Sequence, residues 1–357
     1  MFTTQIFADS LSVVDSLGRT VAVPASPDRV ICSGSGCLRL LVYLQAQDRV
    51  IAVDSAEDQG NDVRALAARP YSQANPQFRN MPVFGEFRGM DSPELIAGLT
   101  PQPQVIFKVS PLSGPHPDVL TEKTGIPVIG LEYGNLTDKR EQLYETLRTM
   151  GRVLGREDRA DEVVGFLEKH REDLARRTAD IPEERRPTCY VGGVASRGTH
   201  GITSTEPGYP PFLFTNARNV AASGFSGKSE VIQISKEQLL AWDPEVLFLD
   251  ANTTRSADQA NAMSQLRDDP ALATLSAVTS GNIWGVLPYN SYNTNYGSVL
   301  ANCYFVGKIL FPDRFADVDP VRMADELYTF LVGKAVFQEI EASFPGFMFS
   351  KLDIGGK

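Results

Sequence analysis

The stretch Glu157–Asp180, EDRADEVVGFLEKHREDLARRTAD, decides how the rest of this chain is read. Its apolar residues Ala160, Val163, Val164, Leu167 and Leu174 recur at helical spacing. The remaining positions are mostly charged, as on a solvated face. Gly155 ahead of it and Pro182 behind it are stop signals for the flanking structure. At ~1.5 Å per residue such a helix spans roughly 30 Å, about the width of a small domain. An ordinary amphipathic surface helix carries the same pattern, but this one sits near the middle of the chain with strand–helix alternation on both sides. The pattern predicts a strut over residues 157–180 joining an N-terminal lobe, 1–156, to a C-terminal lobe, 181–357.

A chain of 357 residues has room for about two domains. With 42% hydrophobic and 22% charged residues it has the material for two cores. A net charge of -10 argues against nucleic acid or an anionic membrane as partner. No apolar run is long enough to cross a bilayer. The opening MFTTQIFADSLSVVD lacks the basic start and apolar core of an export signal. Cys32, Cys37, Cys189 and Cys303 lack metal-type spacing and read as buried free thiols.

On the N-terminal side, VVDSLGRTVAV (13–23) has the turn and alternation of a hairpin. Strands are expected at Arg29–Cys32, Val50–Val53, Gln104–Lys108 and Pro127–Leu131. Helices are expected at Leu38–Leu44, at Pro93–Leu99 behind a Ser92 cap, at Asp118–Thr124 and at Thr137–Val153. Beyond the strut the pattern restarts with strands Thr188–Gly192, Glu245–Asp250 and Ile283–Val286 and helices including Ser235–Ala241 and Val299–Leu310. The expected fold is α/β: two lobes, each with a mainly parallel central sheet flanked by helices, joined by one long rigid helix.

The Gly-rich turn CSGSGC lacks the ending of a phosphate loop, and no G-x-S-x-G elbow occurs. His116, His170 and His200 are far apart in sequence, with His170 on the solvated face of the strut, so neither a triad nor a metal site is expected. No catalytic residue and no resident cofactor is called for. In open parallel sheets ligands sit outside the carboxyl ends of the strands. Here those ends carry Ser33–Cys37, Asp54–Gly60, Lys108–Gly114 and Glu132–Asn135, then Ala195–His200, Asn252–Arg255 and Pro288–Tyr296. These loops are rich in Gly, Ser, Asn and Tyr, and their common placement points to a ligand cleft between the lobes.

The chain resembles the substrate-binding proteins of ABC importers, of the class whose lobes are joined by one long helix and which carries ferric siderophores, haem, cobalamin and some bare metal ions. Asp15-Ser16-Leu17-Gly18-Arg19, Val21, Val23-Pro24 and Pro27-Asp28-Arg29-Val30-Ile31 resemble the family's opening D-x-x-G-R-x-V-x-V-P…P-x-R-V. Ser92-Pro93-Glu94-Leu95-Ile96-Ala97-Gly98-Leu99-Thr100-Pro101 with Val105-Ile106 resembles the first-lobe N-x-E-x-I-x-x-L-x-P-D-x-V-I, and Ile234–Leu239 with Asp243–Val246 its second-lobe counterpart. Gln102-Pro103-Gln104 stands where the family has Asp, which reads as a capping detail. The resemblance implies a monomer outside the cytoplasm, periplasmic or at the cell surface, that delivers its ligand to an ABC permease. It implies that Glu94 and Glu237 dock against permease arginines. No lipid-attachment cysteine precedes Asp15, so localisation rests on the resemblance.

The expected ligand is a metal chelate, foremost a ferric siderophore, with cobalamin or haem as the alternative. A competing class is a cleft enzyme using Cys32 and Cys37 for redox chemistry. The segment Tyr289-Asn290-Ser291-Tyr292-Asn293-Thr294-Asn295-Tyr296 carries three tyrosines in eight residues. Tyr289, Asn290, Tyr292, Asn293 and Tyr296 are therefore expected ligand contacts, since flat rings with polar tips and uncharged amides suit a large organic complex. Arg197 and His200 are expected beside them, with Ser35 and Arg88 from the first lobe. Arg88, Arg197 and Arg255 suit an anionic chelate.

Overall fold

A computed structural model describes residues 10–58, 63–222, 230–256 and 261–355. Residues 59 and 60 of the expected loop Asp54–Gly60 lie outside them. The chain divides into two compact units, Met1–Leu167 with Leu331–Gly333, and Glu168–Phe330 with Lys334–Lys357. The decisive stretch forms one continuous helix, Glu157–Thr178. Ala160, Val163, Val164, Leu167 and Leu174 are all buried, as their spacing requires. The preceding helix, Arg140–Leu154, ends on Gly155 in the left-handed conformation (φ 62°), which frees the chain to restart at Glu157. The polar face is not wholly solvated. His170 is half-buried, its Nδ1 lies 2.8 Å from the Tyr304 hydroxyl, and the rings meet edge-on at 5.6 Å. Burial pushes the His170 imidazole down to about 4.

In the first unit the strands are β1 (Ser10–Val14), β2 (Thr20–Pro24), β3 (Val30–Ser33), β4 (Val50–Ala52), β5 (Gly85–Glu86), β6 (Met90–Asp91), β7 (Val105–Val109) and β8 (Val128–Leu131). The four-stranded sheet has the order β4-β3-β7-β8 and is parallel throughout. Every residue of β3, β7 and β8 is buried, which is why these segments read as continuous apolar runs instead of alternating ones. Ile31, Ile106 and Val128 pack there with Phe84, Ile96 and Leu120.

The hairpin β1–β2 is fastened to this sheet by its turn. The buried Asp15 carboxylate accepts the N–H groups of Leu17, Arg19 and Gly130, each at 3.0 Å, and the Arg19 Nε–H at 3.0 Å. Arg19 donates onward to the Val128 carbonyl at 2.8 Å. Burial alone raises the Asp15 carboxyl, but these hydrogen bonds hold it below its ordinary value. The D-x-x-G-R signature is thus a clamp between turn and sheet. Within Gln102-Pro103-Gln104 the Gln102 side-chain amide donates to the Ala97 carbonyl at 2.8 Å, capping a helix end, while Gln104 clamps a strand entry: its Oε1 accepts the N–H groups of Asp28 and Arg29 at 2.8 and 3.1 Å, where β3 begins.

In the second unit the strands are β9 (Thr188–Gly192), β10 (Ser204–Thr205), β11 (Arg218–Asn219), β12 (Ile232–Gln233), β13 (Val246–Asp250) and β14 (Ile283–Val286). The parallel four-stranded sheet has the order β11-β9-β13-β14. One helix starts earlier than its apolar pattern suggests: it runs Tyr296–Leu310, so Tyr296 belongs to it. Both units are thus α/β, each built on a parallel sheet flanked by helices.

Asp15→Ala should destabilise the folded chain by about 2–4 kcal/mol, because it orphans the Gly130 N–H and leaves Arg19 without its buried partner. Because Asp15 is held below its ordinary value, its contribution is present above the unfolded pKa and fades as pH falls through the folded one. Urea unfolding of both proteins at pH 7 and pH 3 checks this: the gap should be narrower at pH 3 than at pH 7.

Candidate functional site

At the carboxyl end of the first sheet the chain leaves β3 through Ser33-Gly34-Ser35-Gly36. Gly34 has φ 86°, and a Cβ there would lie 2.2 Å from the Val109 carbonyl oxygen, so only glycine lets the loop lie against β7. A Cβ on Gly36 would meet the Tyr133 ring at 2.3 Å. Ser35, half-buried, is held between these two contacts. Beneath the turn, Arg39 is fully buried, with its guanidinium 5.0 Å from the Tyr71 ring centroid and 5.8 Å from that of Tyr133, whose hydroxyl it also bonds.

Arg88 lies in the tight connection between β5 and β6. It is exposed, in the left-handed region (φ 63°), with its guanidinium 5.1 Å from the Phe87 ring. Two neighbouring loops and strand β7 hold this hairpin. Phe87 N–H donates to the Ser55 hydroxyl at 3.0 Å, and the Ser113 hydroxyl donates to the Arg88 carbonyl at 2.7 Å. Lys108, fully buried at the end of β7, donates to the Gly89 carbonyl at 2.8 Å and to Asp91 at 2.5 Å. Burial raises the Asp91 carboxyl further than Lys108 and Ser33 lower it. Arg39, Lys108 and Asp91 escaped the sequence reading. The signal for Arg39 and Lys108 was a cation inside an otherwise apolar run, CLRLLVY and VIFKV; Asp91 had none.

At the carboxyl end of the second sheet three expected loops touch. The Asn290 side-chain amide donates to the Ala195 carbonyl at 2.7 Å, and the Thr253 hydroxyl donates to the His200 carbonyl at 2.8 Å. His200 is half-buried with Nε2 2.8 Å from the Ser196 carbonyl, while Arg197 is exposed in the left-handed region (φ 54°). Asn290 and Thr294 pair across a short turn in which Tyr292 (φ 51°) and Asn293 (φ 73°) are both left-handed. Asn290, Tyr292 and Asn293 are half-buried at the loop's face. Tyr289 and Tyr296 are buried beneath it, at 4% and 0% exposure. The Tyr289 hydroxyl bonds the Glu206 carboxyl, and its carbonyl accepts the Asn295 N–H at 2.7 Å. Burial pushes the Glu206 carboxyl up to about 7 and that of Asp250, at the end of β13, to about 8.

Glu94 and Glu237 occupy equivalent places. Each is exposed, two residues after a serine that caps its helix: the Ser92 hydroxyl accepts the Leu95 N–H at 3.2 Å, and the Ser235 hydroxyl that of Gln238 at 3.1 Å. Cys32 and Cys37 are free and buried, and burial pushes the Cys32 thiol up, so it is a poor nucleophile. Among the described residues no group of three or more His, Cys, Asp or Glu side chains is placed to hold a metal ion, and no helix is long and apolar enough to cross a membrane.

Known proteins share this build. The profile of the family described as periplasmic binding protein matches residues 30–286. The molybdate-binding protein MolA of Haemophilus influenzae is 22% identical over 339 residues, covering 88% of this chain and 89% of the relative. Its molybdate-bound structure superposes with a TM-score of 0.67, at 21% identity, over 91% of this chain and 98% of that one. A periplasmic solute-binding protein of Veillonella parvula gives 0.72 at 16% identity, over 94% and 97%. The petrobactin-binding protein YclQ of Bacillus subtilis gives 0.59 at 14% identity, over 85% and 99%. Matched over more than half its length, the chain belongs to the periplasmic binding protein family.

Proposed function

We propose that the chain captures a metal–organic complex, foremost a ferric siderophore, on the carboxyl-end loops of its sheets, and hands it to an ABC permease from the periplasm or cell surface. The observation that carries this reading is the turn Asn290–Thr294. A tyrosine and an asparagine in succession adopt φ 51° and 73°, a backbone state that bulky residues seldom accept. Such strain persists where the surroundings enforce it, and here it presents a ring and two amides at the loop's face. The rest of the site suits the same ligand. Phe87, Met90 and Leu112 are exposed at 46%, 56% and 71% around Arg88, an apolar rim about a cation. Organic chelates with charged centres are met by such surfaces, and a bare cation is not. Cobalamin and haem are large planar complexes that the same loops would accept. A second reading, a tetrahedral oxyanion, is favoured by the similarity to the molybdate-binding protein. Native mass spectrometry and calorimetry with ferric hydroxamate and catecholate siderophores, haem, a corrinoid and molybdate decide between them. Retention of a siderophore is expected, and retention of molybdate alone would replace the first reading with the second.

Tyr292→Ala should cost ~1–3 kcal/mol of binding to whichever probe is retained, with an unchanged melting temperature. Tyr296→Ala removes a fully buried ring and should cost ~3–5 kcal/mol of stability. Calorimetry and thermal melts on both variants separate the contact from the support.

Glu94 and Glu237, alike in exposure and helix position, suit the docking of each unit against a cationic partner. Acids in a first helical turn are favoured anyway, so the double variant must be tested in transport. Glu94→Ala with Glu237→Ala should leave ligand affinity unchanged and abolish uptake by the reconstituted importer; undiminished uptake would remove the docking role.

A further inference from the structure

Four polar side chains lie buried under the ligand loop, and ligand capture uses none of them directly. Glu206 follows β10, Asp250 ends β13, Tyr209 precedes the short helix Pro210–Phe214, and Tyr289 opens the loop. Glu206 and Tyr289 are 4% exposed, Asp250 and Tyr209 fully buried. The Tyr289 hydroxyl bonds Glu206, and the two tyrosine rings lie 5.7 Å apart. Asp250 Oδ1 accepts the Asn252 N–H at 2.8 Å, but among the described residues Oδ2 has no hydrogen-bond partner. The neck of the loop is closed at Tyr289, whose carbonyl accepts the Asn295 side-chain N–H at 3.0 Å as well as its backbone N–H. Movement of the Tyr289 ring therefore moves the loop.

We propose that Glu206 is a positioning residue for the ligand loop: with Asp250, Tyr209 and Tyr289 it forms a proton-holding cluster that keeps Tyr289–Tyr296 seated, and the loop loosens when the cluster loses its protons.

Two carboxyl groups share a dry site, and ionising both places like charges in low dielectric. Burial, first, and Glu206 among the further causes, hold Asp250 up to about 8; Glu206 itself is raised to about 7, opposed by the Tyr289 hydrogen bond. The other groups facing the pair are Tyr209, Tyr289 and Arg255, with Cys303 facing Tyr209. Burial pushes Tyr209, Tyr289 and Cys303 up, so they stay protonated, while the Arg255 cation eases ionisation of Asp250 without cancelling its burial. Raised carboxyls make the folded chain bind more protons than the unfolded one, so their contribution is full below the unfolded values and is lost as pH rises through about 7 to 8. His170, pushed down to about 4, acts in the opposite sense but titrates below its ordinary value of 6.5. Above pH 6.5 the carboxyl pair remains.

The proposal rests on the loop being the ligand loop, but its test needs no ligand. Hydrogen–deuterium exchange of the peptide covering residues 287–297 is followed in the full chain at pH 6.5 and 8.5, corrected for the intrinsic rate. The wild type should open about a hundredfold more readily at pH 8.5, since the pair gives up roughly one proton per pH unit across those two units. Its melting temperature should fall over the same interval. Glu206→Gln and Asp250→Asn should flatten both profiles. Tyr289→Phe, which removes the hydroxyl bonded to Glu206, should speed exchange at both pH values. A pH-independent wild type, or an unchanged profile in both carboxyl variants, overturns the proposal. If one of them fails to fold, the wild-type profile and the other variant still decide. A latch that titrates as expected in a chain that retains no metal chelate sinks the ligand reading alone; a chelate retained beside a pH-insensitive loop sinks the latch alone.

Discussion

A buried ammonium must be surrounded by acceptors, and Lys108 turns that requirement into architecture. It stands at the end of a strand whose other residues are apolar, and its acceptors are the Gly89 carbonyl and the Asp91 carboxylate. Both belong to the hairpin that carries Arg88. The hairpin must therefore fold down onto the carboxyl end of the first sheet. Gly114 seals the arrangement, since a Cβ there would meet the Gly89 carbonyl oxygen at 2.0 Å. An apolar pair of similar volume would be as stable or more so. What the ion pair adds is register, because its charged partners admit one seating of the loop.

The second unit reaches the same end by a different route. Its loops are joined by neutral amides: Asn290 to Ala195, Asn295 to Tyr289, and Asn302 to both the N–H and carbonyl of Leu287, at 2.9 and 3.0 Å. An asparagine side chain donates and accepts at once, so one residue can satisfy a strand end that has run out of sheet partners. The asparagines of the loop read in sequence as ligand groups are thus divided in labour. Asn290 and Asn293 lie at the face, while Asn295 works beneath it.

The sheets were legible because parallel strands buried on both faces leave unbroken apolar runs: Thr188–Gly192 and Ile283–Val286 appear with the bounds their composition suggests. The cap Ser92 was legible because capping is local chemistry, while Ser235, read as the first residue of its helix, proves to be the cap of Lys236–Trp242. The site was legible as a set of loops but not side chain by side chain. Composition tells how many tyrosines a loop has and not which way each points. Tyr296 looked like a loop residue until the helix Tyr296–Leu310 took it into the core. Arg39, Lys108 and Glu206 were hidden for the converse reason. Single charges in apolar surroundings look like edge positions in a sequence, and only tertiary packing shows that the chain closes over them.

Those hidden charges bear on how a chain of net charge -10 would meet the anionic chelate proposed for it. That total counts every carboxylate as ionised. Glu206 and Asp250, at the carboxyl end of the second sheet, are held up to about 7 and 8, so near neutral pH they contribute less than their formal charge. Asp91, in the first unit, faces Lys108 at contact distance, and the pair projects little field. Arg39 is buried among aromatic rings beneath the Gly34–Gly36 turn, where low dielectric preserves its field. Arg88 in the first unit and Arg197 in the second are exposed. Carboxylates elsewhere, such as those of the Glu157–Thr178 helix, face salt-screened solvent and fade within ~8–10 Å. The local sign at each set of loops is set by nearby cations and by acids whose charge is reduced or paired, and not by the total.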